Sequence, residues 1–383
     1  MPNMDLSSFN RYIREMPKTG IVDYLRNIYP QNIKVVYENN GSRAMLCTYN
    51  RNSPFKYAGI IVADNKVISV PNRPPVTQYS PKVLDAEFKN ASVYPANDGT
   101  TITMYYWDNK WRMSSHRGYD IGHYTRFSLK GLDESKSYKE CLDEVFAMYN
   151  FKYECLDKTK CYTLGFRHPE LQPFDNKNMS AWFIQSVDLK KFNNGEPDYV
   201  SDDEKIGIPM QVAIDIDLDS ALKKSQDAYD QFCENGIMNY GYLIKIDSRL
   251  YLIESSLLNK IRKIFYSIKF NKYSKNNRIY HIILYFFLDS KYYTIFQKLF
   301  PQYIPLFTKI ENNLNILMDK IVNRNSDNAI VETLYNEISS ILTIKKYSKN
   351  TTRYLISKYI YSPPRAPLLY EYLNTVGLWN ESL

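Results

Sequence analysis

The chain is short of several things that would have pointed to a function at once. Of its 383 residues only 13 are glycine, 5 are cysteine and 4 are histidine. The cysteines, Cys47, Cys141, Cys155, Cys161 and Cys233, form no CxxC pair, and an odd number makes a poor disulfide framework, so free thiols in a reducing compartment are expected. His116, His123 and His168 show no His-x-x-x-His spacing, which leaves a metal cluster or a general-base site without support. Ser114-Ser115-His116 is not preceded by a Gly-x-Ser-x-Gly elbow, which removes the usual serine-hydrolase signal. No stretch is long and apolar enough to span a bilayer: the longest run, Ile279 to Leu288, is broken by His281. The N-terminal residues carry no apolar signal core. No internal repeat is evident. These absences describe a soluble, intracellular protein, cytoplasmic in its expected location, with no membrane partner.

What is present is an ordinary globular composition, 44% hydrophobic and long enough for two domains. The 35 tyrosines, among many Lys, Asn and Ile, are what an AT-biased genome encodes, as in large DNA viruses. The net charge of +8 permits a polyanionic partner without requiring one.

Taken in order, Asp5 to Ile28 suggests one or two short helices with caps in Asp5-Leu6-Ser7-Ser8. Ile33 to Tyr37, Arg43 to Tyr49 and Tyr57 to Val70 read as strands. Tyr94 to Asp120 is the most informative stretch. Pro95, Asn97, Asp98 and Gly99 favour a tight turn; Thr101 to Trp107 and Lys110 to Ser115 form a hairpin about Asp108-Asn109; Arg117-Gly118 closes it. Leu129 to Tyr149 is helical, with a capping box at Ser137 and Glu140. Cys161 to Phe166 and Ala181 to Leu189 are strands, and Asn193 to Lys205 is a polar loop. Asp215, Asp217 and Asp219 would align three carboxylates on a strand face. The cap reading is preferred: Asp219-Ser220 starts a helix at Ala221. Asn239 to Ser256 is a second hairpin, turning at Asp247-Ser248.

After residue 256 the composition changes. Leu257 to Arg278 carries seven basic residues and no acidic one, Lys260, Arg262, Lys263, Lys269, Lys272, Lys275 and Arg278, interleaved with aromatics. Such a mixture suits a nucleic acid, with cations on phosphates and rings on unpaired bases; an amphipathic helix with a solvated basic face accounts for it equally. Helical patterns follow through Ile279 to Phe300, Tyr303 to Val322, Ala329 to Ile344, Thr351 to Tyr361 and Leu368 to Val376.

Turn, hairpin and terminal Arg-Gly together resemble the adenylation core of the phage-type RNA ligases, in the covalent nucleotidyltransferase superfamily. The resemblance covers about Ile33 to Ser256. It implies an α+β fold with an antiparallel, β-rich nucleotidyltransferase-like core (1–256) and an all-α C-terminal domain (257–383). The family's Lys-x-Asp-Gly motif corresponds to Ala96-Asn97-Asp98-Gly99, with alanine in place of the lysine nucleophile, and its closing basic-Gly pair to Arg117-Gly118. Ala58-Gly59 stands where Arg-Gly is usual. The glutamate that helps hold the nucleotide sugar corresponds to Gly165, the family's Glu-Gly to Tyr240-Gly241, and its Lys-x-Lys to Leu252 and Glu254.

The implied chemistry needs a lysine to attack the α-phosphate, cations to neutralise the developing charge and carboxylates for metal or ribose. With those groups replaced, the expectation is a pseudoenzyme with no cofactor. It would bind RNA, or a protein partner in an RNA-handling or transcription complex. The alternative is an active ATP- and magnesium-dependent RNA ligase or capping-type nucleotidyltransferase using a displaced lysine such as Lys89 or Lys110; Lys56 is a weaker candidate, and Lys245 would be a displaced cation near the base. A third class is a structural protein, for instance of a virion.

Overall fold

The computed structural model describes residues 5–17, 24, 33–37, 43–48, 57–77, 88, 91–97, 99–116, 118–124, 136–171, 179–202, 204–246, 249–259, 283–284, 287–288, 293, 297–298, 304–323, 328–342, 349–362 and 365–378. The chain divides into two compact units, Met1–Ser128 with Asp133–Ile261, and Leu129–Leu132 with Arg262–Leu383.

The first unit is built on antiparallel hairpins. Strands β1 (Ile33–Tyr37), β2 (Ala44–Thr48), β3 (Ile61–Ala63) and β4 (Lys66–Ser69) form one sheet in sequential order. The stretch from Tyr57 to Val70, read as strand, holds two of these strands. Asp64 and Asn65 take left-handed φ values of 48° and 57° and turn the chain between them, a conformation their short polar side chains tolerate. Asp108 and Asn109 do the same, at φ 53° and 57°, between β6 (Thr100–Trp107) and β7 (Lys110–Ser115). This is the expected hairpin, in register from Thr103 opposite Ser114 to Trp107 opposite Lys110.

A second sheet places β6 and β7 in the middle of a longer array. With β8 (Gly118–Tyr119), β9 (Lys160–Arg167), β10 (Ser180–Asp188) and β11 (Val200–Ser201), its order is β11-β10-β9-β6-β7-β8. A third sheet takes β5 (Ser92–Pro95) beside the second expected hairpin, β12 (Gly241–Ile246) and β13 (Arg249–Glu254), in the order β13-β12-β5.

Helices cover these sheets where strand alternation leaves apolar faces. Helix α1 (Leu6–Arg14) starts at Asp5, whose carboxylate accepts from the Ser8 N–H at 2.7 Å. Helix α2 (Tyr138–Met148) has the predicted capping box: the Ser137 hydroxyl accepts from Glu140 N–H, and the Glu140 carboxylate from Ser137 N–H at 2.7 Å. Its buried Cys141, Leu142, Val145 and Phe146 pack with Ile102, Met104, Tyr162 and Leu164 on one face of the six-stranded sheet. The opposite face contributes Tyr105, Cys161 and Val187 to a second core, with Phe9, Ile13 and the four-stranded sheet.

Two expectations need correction. Residues 193–205 are not simply a loop, because α3 (Leu189–Asn194), capped by Asp188, and β11 fall there. Helix α4 (Leu218–Gln226) begins before Ala221: Asp217, rather than Asp219, is its cap and accepts from Ser220 N–H at 2.8 Å. The three aspartates therefore do not share a strand face. Leu218 and Ala221 of α4 pack beneath β12 and β13, and α5 (Ala228–Asn235) follows.

The second unit is helical where described: α6 (Ile304–Asn323), α7 (Ala329–Leu342), α8 (Lys349–Ile360) and α9 (Ala366–Thr375). The buried positions Leu306, Phe307, Ile310, Leu314, Leu317, Met318 and Ile321 recur at helical spacing along α6, giving one apolar stripe. The fold class is thus α+β, with antiparallel sheets followed by an α-helical C-terminal part. No helix of the described residues is long and apolar enough to cross a membrane.

Candidate functional site

Several of the residues singled out in the sequence meet at one end of the second and third sheets. As β5 ends, the Ala96 N–H donates to the Gly241 carbonyl at 2.9 Å, bringing Ala96, which the sequence resemblance matches to the family's lysine, against the start of β12. Gly241 has φ +111°, and a Cβ there would lie 1.9 Å from the Ile253 carbonyl oxygen, so no other residue suits this close approach of strands. Glu254 is directly opposite Gly241. Tyr240, buried, stands 5.7 Å from the Arg167 guanidinium at the end of β9.

Gly165 lies two residues before Arg167 and pairs with Thr101 on one side and Trp182 on the other. The Trp182 indole lies against it. A Cβ at Gly165 would fall 2.1 Å from the ring, and one at Gly99 2.4 Å from its far edge. The space a side chain at position 165 would need is therefore filled from the neighbouring strand. Trp182 was not picked out by sequence reasoning, and a tryptophan opposite a strand glycine is the signal that could have found it.

Strand alternation separates the two faces of the β12–β13 hairpin. Tyr242, Ile244, Tyr251 and Ile253 pack toward α4. Leu243, Lys245, Leu252 and Glu254 therefore lie on the opposite face. Lys245 pairs there with Asp202. Lys110 is at the wrong end of the sheet: it opposes Trp107, and the eight residues of β6 put that end about 23 Å from Thr100. Lys56, Lys89, Asp98 and Arg117 lie outside the described residues, as do all seven basic positions from Lys260 to Arg278. Gly118 pairs with Ser115 across β7 and β8. Gly59, at φ +83°, donates its N–H to Leu46 O at 2.5 Å and lies so close to Pro71 that a Cβ would be 2.7 Å from the ring.

A buried charge network, also unforeseen, fixes the turn that carries Gly118. Arg43, fully buried at the start of β2, donates to both Asp120 oxygens, at 2.6 and 3.3 Å, and to the Tyr105 hydroxyl at 2.6 Å. Arg112 reaches the same carboxylate at 2.5 Å and Asp108 at 3.1 Å. Burial pushes the Asp120 carboxyl up, but the hydrogen bonds and charges of Arg43 and Arg112 outweigh it and hold the group below the ordinary aspartate value. Burial, then the Asp120 charge, push the Tyr105 phenol well above its usual range.

Two of the histidines are held in structural contacts. His168 is buried; its Nδ1 accepts from the Glu170 N–H at 3.1 Å and its Nε2 lies 3.0 Å from Glu144, which also binds Lys136. His116 is bonded to the Asn72 carbonyl. Among the described residues no cluster of three or more His, Cys, Asp or Glu could hold a metal ion.

No protein-family model matches the chain. It is 30% identical over 291 residues to a protein of African swine fever virus (Badajoz strain) named "Putative RNA-ligase", covering 65% of this chain and 63% of that protein. A protein of the same name from the Pretoriuskop isolate is 29% identical over 290 residues, with the same shares covered. The chain thus spans less than two thirds of the length of these relatives. Among solved structures an archaeal ATP-dependent RNA ligase aligns over 94% of this chain and 99% of its own, at 10% identity and a TM-score of 0.41. The fold class rests on the strand order given above, independently of that likeness. The chain is thus similar to viral proteins that carry the name "Putative RNA-ligase".

Proposed function

We propose that this RNA ligase-like protein associates with RNA, or with a protein partner in an RNA-handling or transcription complex, without forming a covalent lysyl-nucleotide. What supports the reading is Ala96, at the meeting point of β5 and β12, which the sequence resemblance matches to the nucleophilic lysine and which carries only a methyl group. Its surroundings agree. Position 165 has no carboxylate and its space is taken by Trp182. Leu252 and Glu254 offer neither cation to a phosphate, and the carboxylate of Glu254 opposes one. These residues do not fit a triphosphate with its magnesium ion acting as covalent donor, so no chemical step is assigned to them.

The test is incubation of the full chain with radiolabelled ATP, and separately GTP, with magnesium. No protein–nucleotide adduct is expected. An adduct mapped to one lysine by peptide mass spectrometry would replace this reading with the second one: an active RNA ligase or capping-type nucleotidyltransferase with ATP and magnesium as cofactors. The name carried by the viral relatives favours that second reading.

A further inference from the structure

Beside this site, residues 209–214 run as a strap between two sheets. At one end Phe183 of β10 donates to Pro209 O at 2.7 Å and accepts from Gln211 N–H at 3.4 Å; at the other, Ile214 N–H donates to Val93 O of β5 at 2.8 Å. The Gln211 side chain donates to Pro95 O at 2.9 Å. Met210, Val212 and Ile214 are 42%, 74% and 37% exposed, and Ala213 among them is exposed too. Single exposed apolar residues are unremarkable, but several within five residues form a patch of the kind partners cover.

Charge says which partner. Asp215, Asp217 and Asp219 follow directly and are exposed, and residues 206–220 contain no Lys, Arg or His, in a chain whose net charge is +8. A polyanion is repelled by such a surface, whereas a cationic chain is drawn to it. We propose that the strap is a docking surface for an extended segment of a protein partner in which apolar and basic residues alternate. The apolar side chains would cover Met210, Val212 and Ile214, and the cations would face the three aspartates. This inference stands apart from the nucleotide chemistry and holds for either functional reading.

A fluorescein-labelled alternating valine–lysine peptide, its valine–glutamate counterpart and a labelled RNA oligonucleotide provide the test, with the full chain titrated into each and anisotropy recorded. The lysine peptide should bind and the glutamate peptide should not. Val212→Ser, at a side chain too exposed to endanger the fold, should weaken binding about tenfold. The triple variant Asp215→Asn, Asp217→Asn, Asp219→Asn should do likewise while keeping a residue able to cap α4 at position 217. Added salt should erase the difference between the triple variant and the parent. The proposal is overturned if the parent ignores the lysine peptide, if both peptides bind alike, or if Val212→Ser binds as the parent does. It is also overturned if Val212→Ser abolishes self-association of the chain, or if RNA binding is lost with the same variant.

Discussion

Replacing Asp120 with asparagine keeps the shape of the side chain while removing the charge that faces Arg43 and Arg112. The pair is a buried one: Arg43 has none of its side chain exposed, Arg112 13% and Asp120 25%. Breaking such a pair from one side costs about 3–5 kcal/mol, and the partial exposure of Asp120 argues for the lower end, about 3 kcal/mol. That is a large part of the total stability of an ordinary domain. Urea unfolding followed by tryptophan fluorescence suits the measurement, because Trp107, Trp111 and Trp182, three of the four tryptophans, belong to the first unit. The same group makes a pH prediction. A folded-state value below that of the unfolded chain gives stability that is complete above the unfolded value and is lost as pH falls through the folded one. Below pH 4 the parent should therefore lose part of its advantage over Asp120→Asn. A cost under about 1 kcal/mol, or two parallel acid limbs, would refute the account of Asp120 as the charge partner of a buried arginine.

Two further outcomes follow from the geometry. Gly165→Ala should destabilise the first unit by about 1–3 kcal/mol through overpacking against the indole. Trp182→Ala in the same chain should relieve most of that cost, so a double-mutant cycle by urea unfolding should give strong coupling, and additive effects would contradict the packing described. Burial pushes the Cys161 thiol up to about 12, and that of Cys141 likewise, so neither should react with a thiol reagent in the native protein near neutral pH. Exposed Cys155 should react at once, and equal rates at all three would show that the sheet does not shield them.

The features legible in the sequence are those whose causes are local. The Asp108-Asn109 turn, the Ser137–Glu140 capping box and the β12–β13 hairpin each depend on residues a few positions apart. Asp217 was missed as a cap because alternating aspartates and apolar residues read equally as a strand, and only the packing of Leu218 and Ala221 under the third sheet decides for helix. Asp64-Asn65 is a turn signal of the same kind as Asp108-Asn109. The charge network joins residues 77 apart, Arg43 and Asp120, and no spacing rule connects them. Trp182 meets Gly165 through a register that shifts at a bulge between Phe183 and Gln185. Such pairings are properties of the finished sheet.

The indole over two glycines also constrains how this chain can change with time. Position 165 accepts no side chain while Trp182 keeps its orientation, and Trp182 has its bed only while positions 165 and 99 stay bare. The three residues behave as one heritable unit. A carboxylate can reach position 165 only after the tryptophan has gone, so the first substitution on that route removes packing before it can add any chemistry. Selection for stability alone would hold such a lineage on the glycine side of that step.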